Sequence, residues 1–200
     1  MLEAAELRCE RGGKTLFQNL SVQVSKGDLL RISGANGSGK TSLLRMLCGL
    51  LMPSAGEVRW NGTSIQSLRE EYARHIVYLG HAPAVKDELT AAENLAIACR
   101  LAGTPAAPEV IHTALDRFEV PASPVGKLSQ GQKRRAALSR LALSESVPLW
   151  LLDEPFTALD AAGTELVKSM MSGHVNRGLM VVYTTHQDAG LPGSRVLELG

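Results

Sequence analysis

Residues Gly34-Ala-Asn-Gly-Ser-Gly-Lys40-Thr41 follow the pattern G-x-x-x-x-G-K-[ST], a spacing suited to holding a phosphate group. Gly34, Gly37 and Gly39 admit backbone conformations closed to other residues, so successive N–H groups can turn toward an anion. A helix N-terminus directly after the loop adds partial positive charge. In such a cradle Ala35, Asn36 and Ser38 supply backbone, Lys40 reaches the β- and γ-phosphates of ATP, and the Thr41 hydroxyl coordinates Mg²⁺, with Ser42 beside it. Chance would produce the pattern in roughly one 200-residue chain in a hundred.

A second group of reactive residues lies far downstream. Val147-Pro-Leu-Trp-Leu-Leu-Asp153-Glu154-Pro155 is a continuous apolar run ending in two carboxylates. Such a run suits a strand buried on both faces, and its C-terminal end is where α/β sheets place ligands. Asp153 is the acidic residue that holds the magnesium ion, directly or through water. Glu154 is placed to polarise the attacking water. Two acids ending a strand are often only solvated; the glycine loop upstream favours the catalytic reading. Leu179-Met-Val-Val-Tyr-Thr-Thr185 reads as the next buried strand, and His186 at its end can donate a hydrogen bond to the γ-phosphate and orient the water or Glu154. Leu128-Ser-Gln-Gly-Gln132 has no task in most chains that own a phosphate loop.

The elements that must position these groups alternate along the chain. Leu29-Leu-Arg-Ile32 reads as a buried strand and Thr41 to Leu50 as a helix with apolar residues at helical spacing, the context the glycine loop requires. The N-terminal stretch, with period-two alternation in Leu20-Ser-Val-Gln-Val24, predicts strands of an antiparallel layer. Glu57-Val-Arg-Trp60 runs into the turn Asn61-Gly62, and His75-Ile-Val-Tyr-Leu79 reads as another buried strand. Thr90-Ala-Ala-Glu93 is a capping box that opens a helix through Leu95, Ile97 and Leu101. Pro105 and Pro108 break it, a second helix follows around Val110 to Phe118, and Pro121 and Pro124 make a linker. The expected organisation is an α/β core, about 1–87 and 146–200, interrupted by a helical subdomain at about 88–145.

Composition excludes several classes. The net charge of +1 gives no electrostatic case for direct nucleic-acid binding. Lys133-Arg134-Arg135 spans more than one helix face and reads as solvated or ion-paired within the domain. Cys9, Cys48 and Cys99 are too few and too scattered for a disulfide framework or metal centre. No apolar run approaches the ~20 residues that cross a bilayer, and the start lacks the parts of a signal peptide, so a soluble intracellular protein is expected.

Taken in order, the glycine loop, Leu128-Ser-Gln-Gly-Gln132, Leu151-Leu-Asp-Glu154, Ala158-Leu-Asp160 and Thr185-His186 resemble the nucleotide-binding subunit of an ABC transporter over essentially the whole chain. The resemblance implies a P-loop ATPase fold with an antiparallel β layer and an inserted helical subdomain. It also implies a head-to-tail homodimer on nucleotide binding. Leu128, Ser129, Gln130, Gly131 and Gln132 would act in trans: Ser129 and Gly131 of one copy would face the γ-phosphate held by Lys40 of the other, at the amino end of the helix starting near Gln132, and Asp160 would communicate across the seam. Gln130 stands where the family more commonly has glycine.

Two departures from the family pattern narrow the resemblance. Leu79-Gly80-His81 occupies the place of a glutamine that touches Mg²⁺ and senses the membrane partner, so His81 becomes a candidate metal- or water-contacting residue. Arg11 occupies the place of the aromatic that stacks on adenine; a guanidinium can stack on a flat ring, and Phe17 is a neighbour to watch. With Tyr78-Leu-Gly-His81, Lys86 to Leu95 and Leu128 to Arg135, the chain is similar to the ATP-binding subunits of haem exporters in cytochrome c maturation. That similarity implies integral membrane transporter subunits as partners, a peripheral position on the cytoplasmic face of the bacterial inner membrane, and ATP hydrolysis that releases a haem-loaded chaperone. The chain has no Cys-x-x-Cys-His, so its link to haem is indirect. Another ABC importer or exporter subunit is the nearest alternative. A P-loop small-molecule kinase would leave Leu128 to Gln132 and His186 without a task. A soluble ABC factor acting on ribosomes or DNA usually has two cassettes or a long coiled-coil insertion.

Overall fold

The computed structural model describes residues 1–186 and 190–200. In chain order the elements are β1 (Leu2–Arg11), β2 (Lys14–Val24), β3 (Leu29–Gly34), α1 (Lys40–Leu47), β4 (Ala55–Trp60), β5 (Thr63–Ser64), α2 (Ile65–Leu68), α3 (Glu70–Ala73) and β6 (Ile76–Leu79). They continue as α4 (Ala91–Leu101), α5 (Pro108–Arg117), α6 (Gln130–Leu138), β7 (Leu149–Leu152), α7 (Ala161–Asn176), β8 (Met180–Thr184) and β9 (Ser194–Leu199). The chain divides into two compact units. One comprises Met1–Tyr78, Val147–Glu154 and Ser172–Gly200; the other, Leu79–Ser146 and Pro155–Met171. The helical span expected at 88–145 lies within the second unit, which also takes in residues 79–87, 146 and 155–171.

In the first unit two sheets organise the chain. An antiparallel sheet has the order β2-β1-β4-β5, and a second sheet has the order β6-β7-β8-β3-β9. In the second, β3 runs parallel to β8 and β9, and β7 parallel to β8. β7 and β8 are buried at every position, as the apolar run of β7 and the Met-Val-Val start of β8 require. The register pairs Leu152 with Tyr183, so the next step along the two strands sets Asp153 beside Thr184. The core of this unit joins both sheets and α1, with Leu7, Ile32, Leu43, Leu44, Leu151 and Val182 all fully enclosed.

α1 ends at Leu47, three residues before the expected limit, because Gly49 turns the chain at φ 79°. β9 and α7 were not foreseen. β9 alternates weakly between buried and exposed residues, and α7 begins with Ala-Ala-Gly-Thr, which carries no apolar stripe.

In the second unit α4 packs on α5 and α6, enclosing Leu95, Ile111, Leu115, Phe118, Leu138 and Leu141. The capping box expected at Thr90 is present: its hydroxyl accepts from Glu93 N–H at 3.2 Å and the Glu93 carboxylate accepts from Thr90 N–H at 2.8 Å. The Thr90 N–H bond first, then a bond from the Thr90 hydroxyl to the same carboxylate at 2.8 Å, hold the Glu93 carboxyl below its ordinary range. Pro108 is the first residue of α5, so it starts a helix where the sequence suggested a break; the missing N–H costs nothing there. α6 starts at Gln130, two residues before the expected position, because Ser129 caps it.

Candidate functional site

The glycine loop lies between the end of β3 and the start of α1, and its glycines answer to distinct steric demands. A side chain on Gly34 would put its Cβ 2.3 Å from the Leu199 carbonyl oxygen, so the close passage of β9 excludes one. Gly37 and Gly39 have φ of 84° and 101°, which glycine adopts freely. Gly39 caps α1 without a side chain, leaving the first N–H groups of the helix directed out of its end. Lys40 is buried, and its ammonium donates to the Gly34 and Ala35 carbonyl oxygens at 2.8 and 3.0 Å. The loop thus carries its own cation, folded onto it. Ser42 is buried and Thr41 half-buried behind it; Asn36 is exposed at the turn.

Asp153 follows β7 directly and is 1% exposed. Its Oδ1 accepts from the Thr41 hydroxyl at 3.2 Å and from the Thr184 hydroxyl at 2.8 Å. Glu154, also buried, adopts φ 50° and donates its N–H to Thr184 Oγ1 at 2.9 Å. His186 Nε2 stands 3.2 Å from Glu154 Oε1, with the imidazole half-exposed. The structure therefore brings together Thr41, Asp153, Glu154 and His186, residues separated by as many as 145 positions in sequence, and adds Thr184, which no sequence motif marks. The oxygen donors of Thr41 and Asp153 are the hard ligands that Mg²⁺ prefers, so the residues present fit that ion.

Arg11 ends β1 and pairs in register with Lys14 across a hairpin whose turn is Gly12-Gly13; its side chain is exposed. Phe17 is half-buried against the loop, its ring 3.0 Å from where a Cβ on Gly39 would stand. The strand that carries Asp153 is braced by a buried pair: His174 of α7 stacks on Trp150 with ring centroids 3.8 Å apart and planes 18° apart. Burial pushes the His174 imidazole down to about 4.

The second unit holds the remaining candidates. Ser129 and Gln132 form a reciprocal capping box: Ser129 Oγ accepts from Gln132 N–H at 3.2 Å, and Gln132 Oε1 accepts from Ser129 N–H at 2.9 Å. Leu128-Ser-Gln-Gly-Gln132 carries the [ST]-x-x-[EQ] pattern of such a box, so these residues have a local capping task besides the role toward nucleotide that the resemblance implies. Leu128 is buried and Gln130 exposed. A Cβ on Gly131 would lie 2.8 Å from the Ala158 carbonyl oxygen, so this glycine admits the loop that carries Asp160.

The three cations after Gln132 each tie α6 to a different segment. Lys133 pairs with Asp87 at 2.7 Å. Arg134, 3% exposed, donates to the carbonyls of Gly80 and His81 at 2.8 and 3.2 Å. Arg135 spans Glu119 at 2.8 Å and Asp160 at 2.6 Å. Asp160 also accepts from Gly163 N–H at 2.9 Å, and these bonds, the backbone one first, hold its carboxyl below the ordinary range. Lys133 and Arg135 are thus ion-paired within the domain as expected, whereas Arg134 is not solvated but buried against backbone carbonyls. His81 lies two residues beyond β6 with its side chain exposed and its backbone held by Arg134.

Comparison with known proteins agrees with this geometry. The family described as ABC transporter matches residues 17–157. A cytochrome c biogenesis ATP-binding export protein CcmA of Aromatoleum aromaticum is 50% identical over 195 residues, covering 94% of this chain and 90% of that protein. The protein of the same name from Escherichia coli K12 is 44% identical over 200 residues, covering 100% of this chain and 95% of its own length. Among solved structures, an ABC transporter ATP-binding protein of Pyrococcus furiosus superposes with a TM-score of 0.82 at 25% identity, covering 99% of this chain and 96% of that one. A dimeric ATP-binding cassette in a post-hydrolysis state, bound to ADP and Pi, superposes with a TM-score of 0.83 at 23% identity, covering 100% and 94%, and shares the fold. The chain belongs to the ABC transporter family and, within it, to the cytochrome c biogenesis ATP-binding export proteins.

Proposed function

We propose that this ABC ATPase energises the haem exporter of a cytochrome c maturation system, hydrolysing ATP between two copies and driving release of the haem-loaded chaperone through integral membrane subunits. One observation carries the catalytic part: a buried carboxylate, Asp153, is bonded to the glycine-loop residue Thr41 while the next residue, Glu154, meets His186. The relatives named for cytochrome c biogenesis export support the cargo.

In this reading the loop amides of Gly34 to Gly39, with Lys40, Thr41 and Ser42, bind and orient the phosphates of ATP. Thr41 and Asp153 would hold Mg²⁺, which when bound neutralises charge on the β- and γ-phosphates. Glu154 polarises the attacking water and His186 orients it from the other side of the carboxylate. Ser129 and Gly131, at the amino end of α6, present their backbone and hydroxyl to the nucleotide of a second copy, where the helix dipole favours anionic oxygen. His81 stands in for a glutamine toward Mg²⁺ or water, and Arg11 stacks on adenine. Among the described residues no helix is long and apolar enough to cross a membrane; the proposed location is peripheral, at the cytoplasmic face of the inner membrane.

The test is to purify the chain from membranes in mild detergent and identify its stoichiometric partners. Small integral membrane subunits of a haem export system are expected, with an ATPase rate that rises when they are present. Co-purification with the membrane subunits of an unrelated importer would overturn the cargo and leave the ATPase reading intact.

A further inference from the structure

Thr184 is where the two carboxylate residues of the site meet. It is the last residue of β8 and fully buried. Its hydroxyl donates to Asp153 Oδ1 at 2.8 Å and accepts from the Glu154 N–H at 2.9 Å. A hydroxyl has one proton and two lone pairs, so a single side chain fixes the carboxylate of one residue and the backbone of the next. The second restraint matters because Glu154 has φ 50°, a region that residues other than glycine seldom occupy unless their surroundings hold them there.

Strand propensity alone does not call for threonine at this position. The preceding residues Val181 and Val182 are buried valines, and valine has the same branched shape without the hydroxyl. A buried hydroxyl without partners is unfavourable, and both of its partners here are residues assigned to the chemistry.

We propose that Thr184 is a positioning residue for ATP hydrolysis: it holds Glu154 in its left-handed backbone conformation and sets the Asp153 carboxylate, so that both are in place before nucleotide arrives. Thr184 itself touches neither nucleotide nor water in this scheme. The proposal rests on the reading of Glu154 as the residue that activates water.

The experiment compares Thr184→Val, Thr184→Ser and Glu154→Gln in the full chain with its co-purified membrane subunits. Thr184→Val should lower kcat about tenfold while leaving KM for ATP within about twofold, because orientation is lost and binding is not. Thr184→Ser keeps the hydroxyl and should recover most of the rate, even though the lost methyl lowers thermal stability. A second readout needs neither metal nor nucleotide: amide hydrogen exchange at Glu154 should quicken in Thr184→Val and stay protected in Thr184→Ser. Where the valine variant does not fold, Thr184→Ala against Thr184→Ser isolates the same hydroxyl. A valine variant with the wild-type kcat, or a serine variant no faster than valine, overturns the proposal, as does an unchanged Glu154 amide. Glu154→Gln separates the layers. If it hydrolyses ATP normally, the reading of Glu154 fails and Thr184 loses its role with it; if it is inactive while Thr184→Val is normal, only the role of Thr184 fails.

Discussion

The glycine loop with the ends of β7 and β8, and the amino end of α6, are both assigned to the same phosphate, yet they are built by opposite means. The first has its lysine and both carboxylates buried. Asp153 is 1% exposed, Thr184 is enclosed, and the unusual backbone at Glu154 is held by its bond to Thr184 on the neighbouring strand. The second is exposed and simple: one capping box, one helix end and ion pairs to Asp87, Glu119 and Asp160 at the surface. Exposed pairs contribute little stability each, so the amino end of α6 keeps its shape through the helix and the buried Arg134 rather than through its surface charges. The difference fits a division of labour. A region that binds nucleotide within its own chain can be closed by its own packing, whereas one that meets a second copy must stay open until that copy arrives.

The comparison breaks most plainly at Lys40. Removing the loop's cation with Lys40→Ala should lower turnover at least about a hundredfold, since a preorganised charge at the transferring phosphate is a dominant contribution; steady-state hydrolysis measures it, and an unaffected rate would sink the loop assignment. A smaller effect is expected from the exposed region. Gly131→Ala drives a Cβ toward the Ala158 carbonyl, so α6 or the Asp160 loop must shift, and turnover should fall about tenfold with nucleotide affinity of the isolated chain unchanged. Loss of nucleotide affinity in the isolated chain would show that the two regions are not separable in this way.

The smallest effect concerns stability of the buried region. His174, neutral in the fold with its titration lowered by burial to about 4, binds its proton more readily when the chain is unfolded. The unfolded chain therefore takes up the extra proton between about pH 6.5 and 4. Stability should be complete above that window and fall as pH drops through it, by roughly 1–3 kcal/mol. His174→Phe retains a ring against Trp150 and should flatten this part of a thermal-melt profile. A variant with the same pH dependence as wild type would place its origin elsewhere.

Much of the buried region was legible in sequence because its chemistry is local. Gly34 to Thr41 is one contiguous pattern, and the apolar run ending in Asp153-Glu154 announces both a strand and its reactive end. Thr184 was not legible, since its bond to Asp153 depends on the register of two parallel strands about thirty residues apart. The stacking of His174 on Trp150 is hidden for the same reason, and α7 itself begins without an apolar stripe. At the exposed region the order of motifs identified Leu128 to Gln132, but a resemblance in function masked a local fact: Ser129 and Gln132 cap their own helix. Gly131 likewise reads as a residue for the partner's phosphate, while its tight neighbour is the backbone of Ala158 in the same chain.

The central claim is that two copies complete one site, and the most direct measurement is sedimentation of Glu154→Gln with and without ATP. Without nucleotide the 21.4 kDa chain should sediment as a monomer. With ATP, bound but not hydrolysed, it should shift to a species of about twice that mass, because catalysis by Glu154 would otherwise part the copies. A strict monomer with ATP at every concentration, alongside a wild-type rate per chain that does not rise with concentration, would contradict the account.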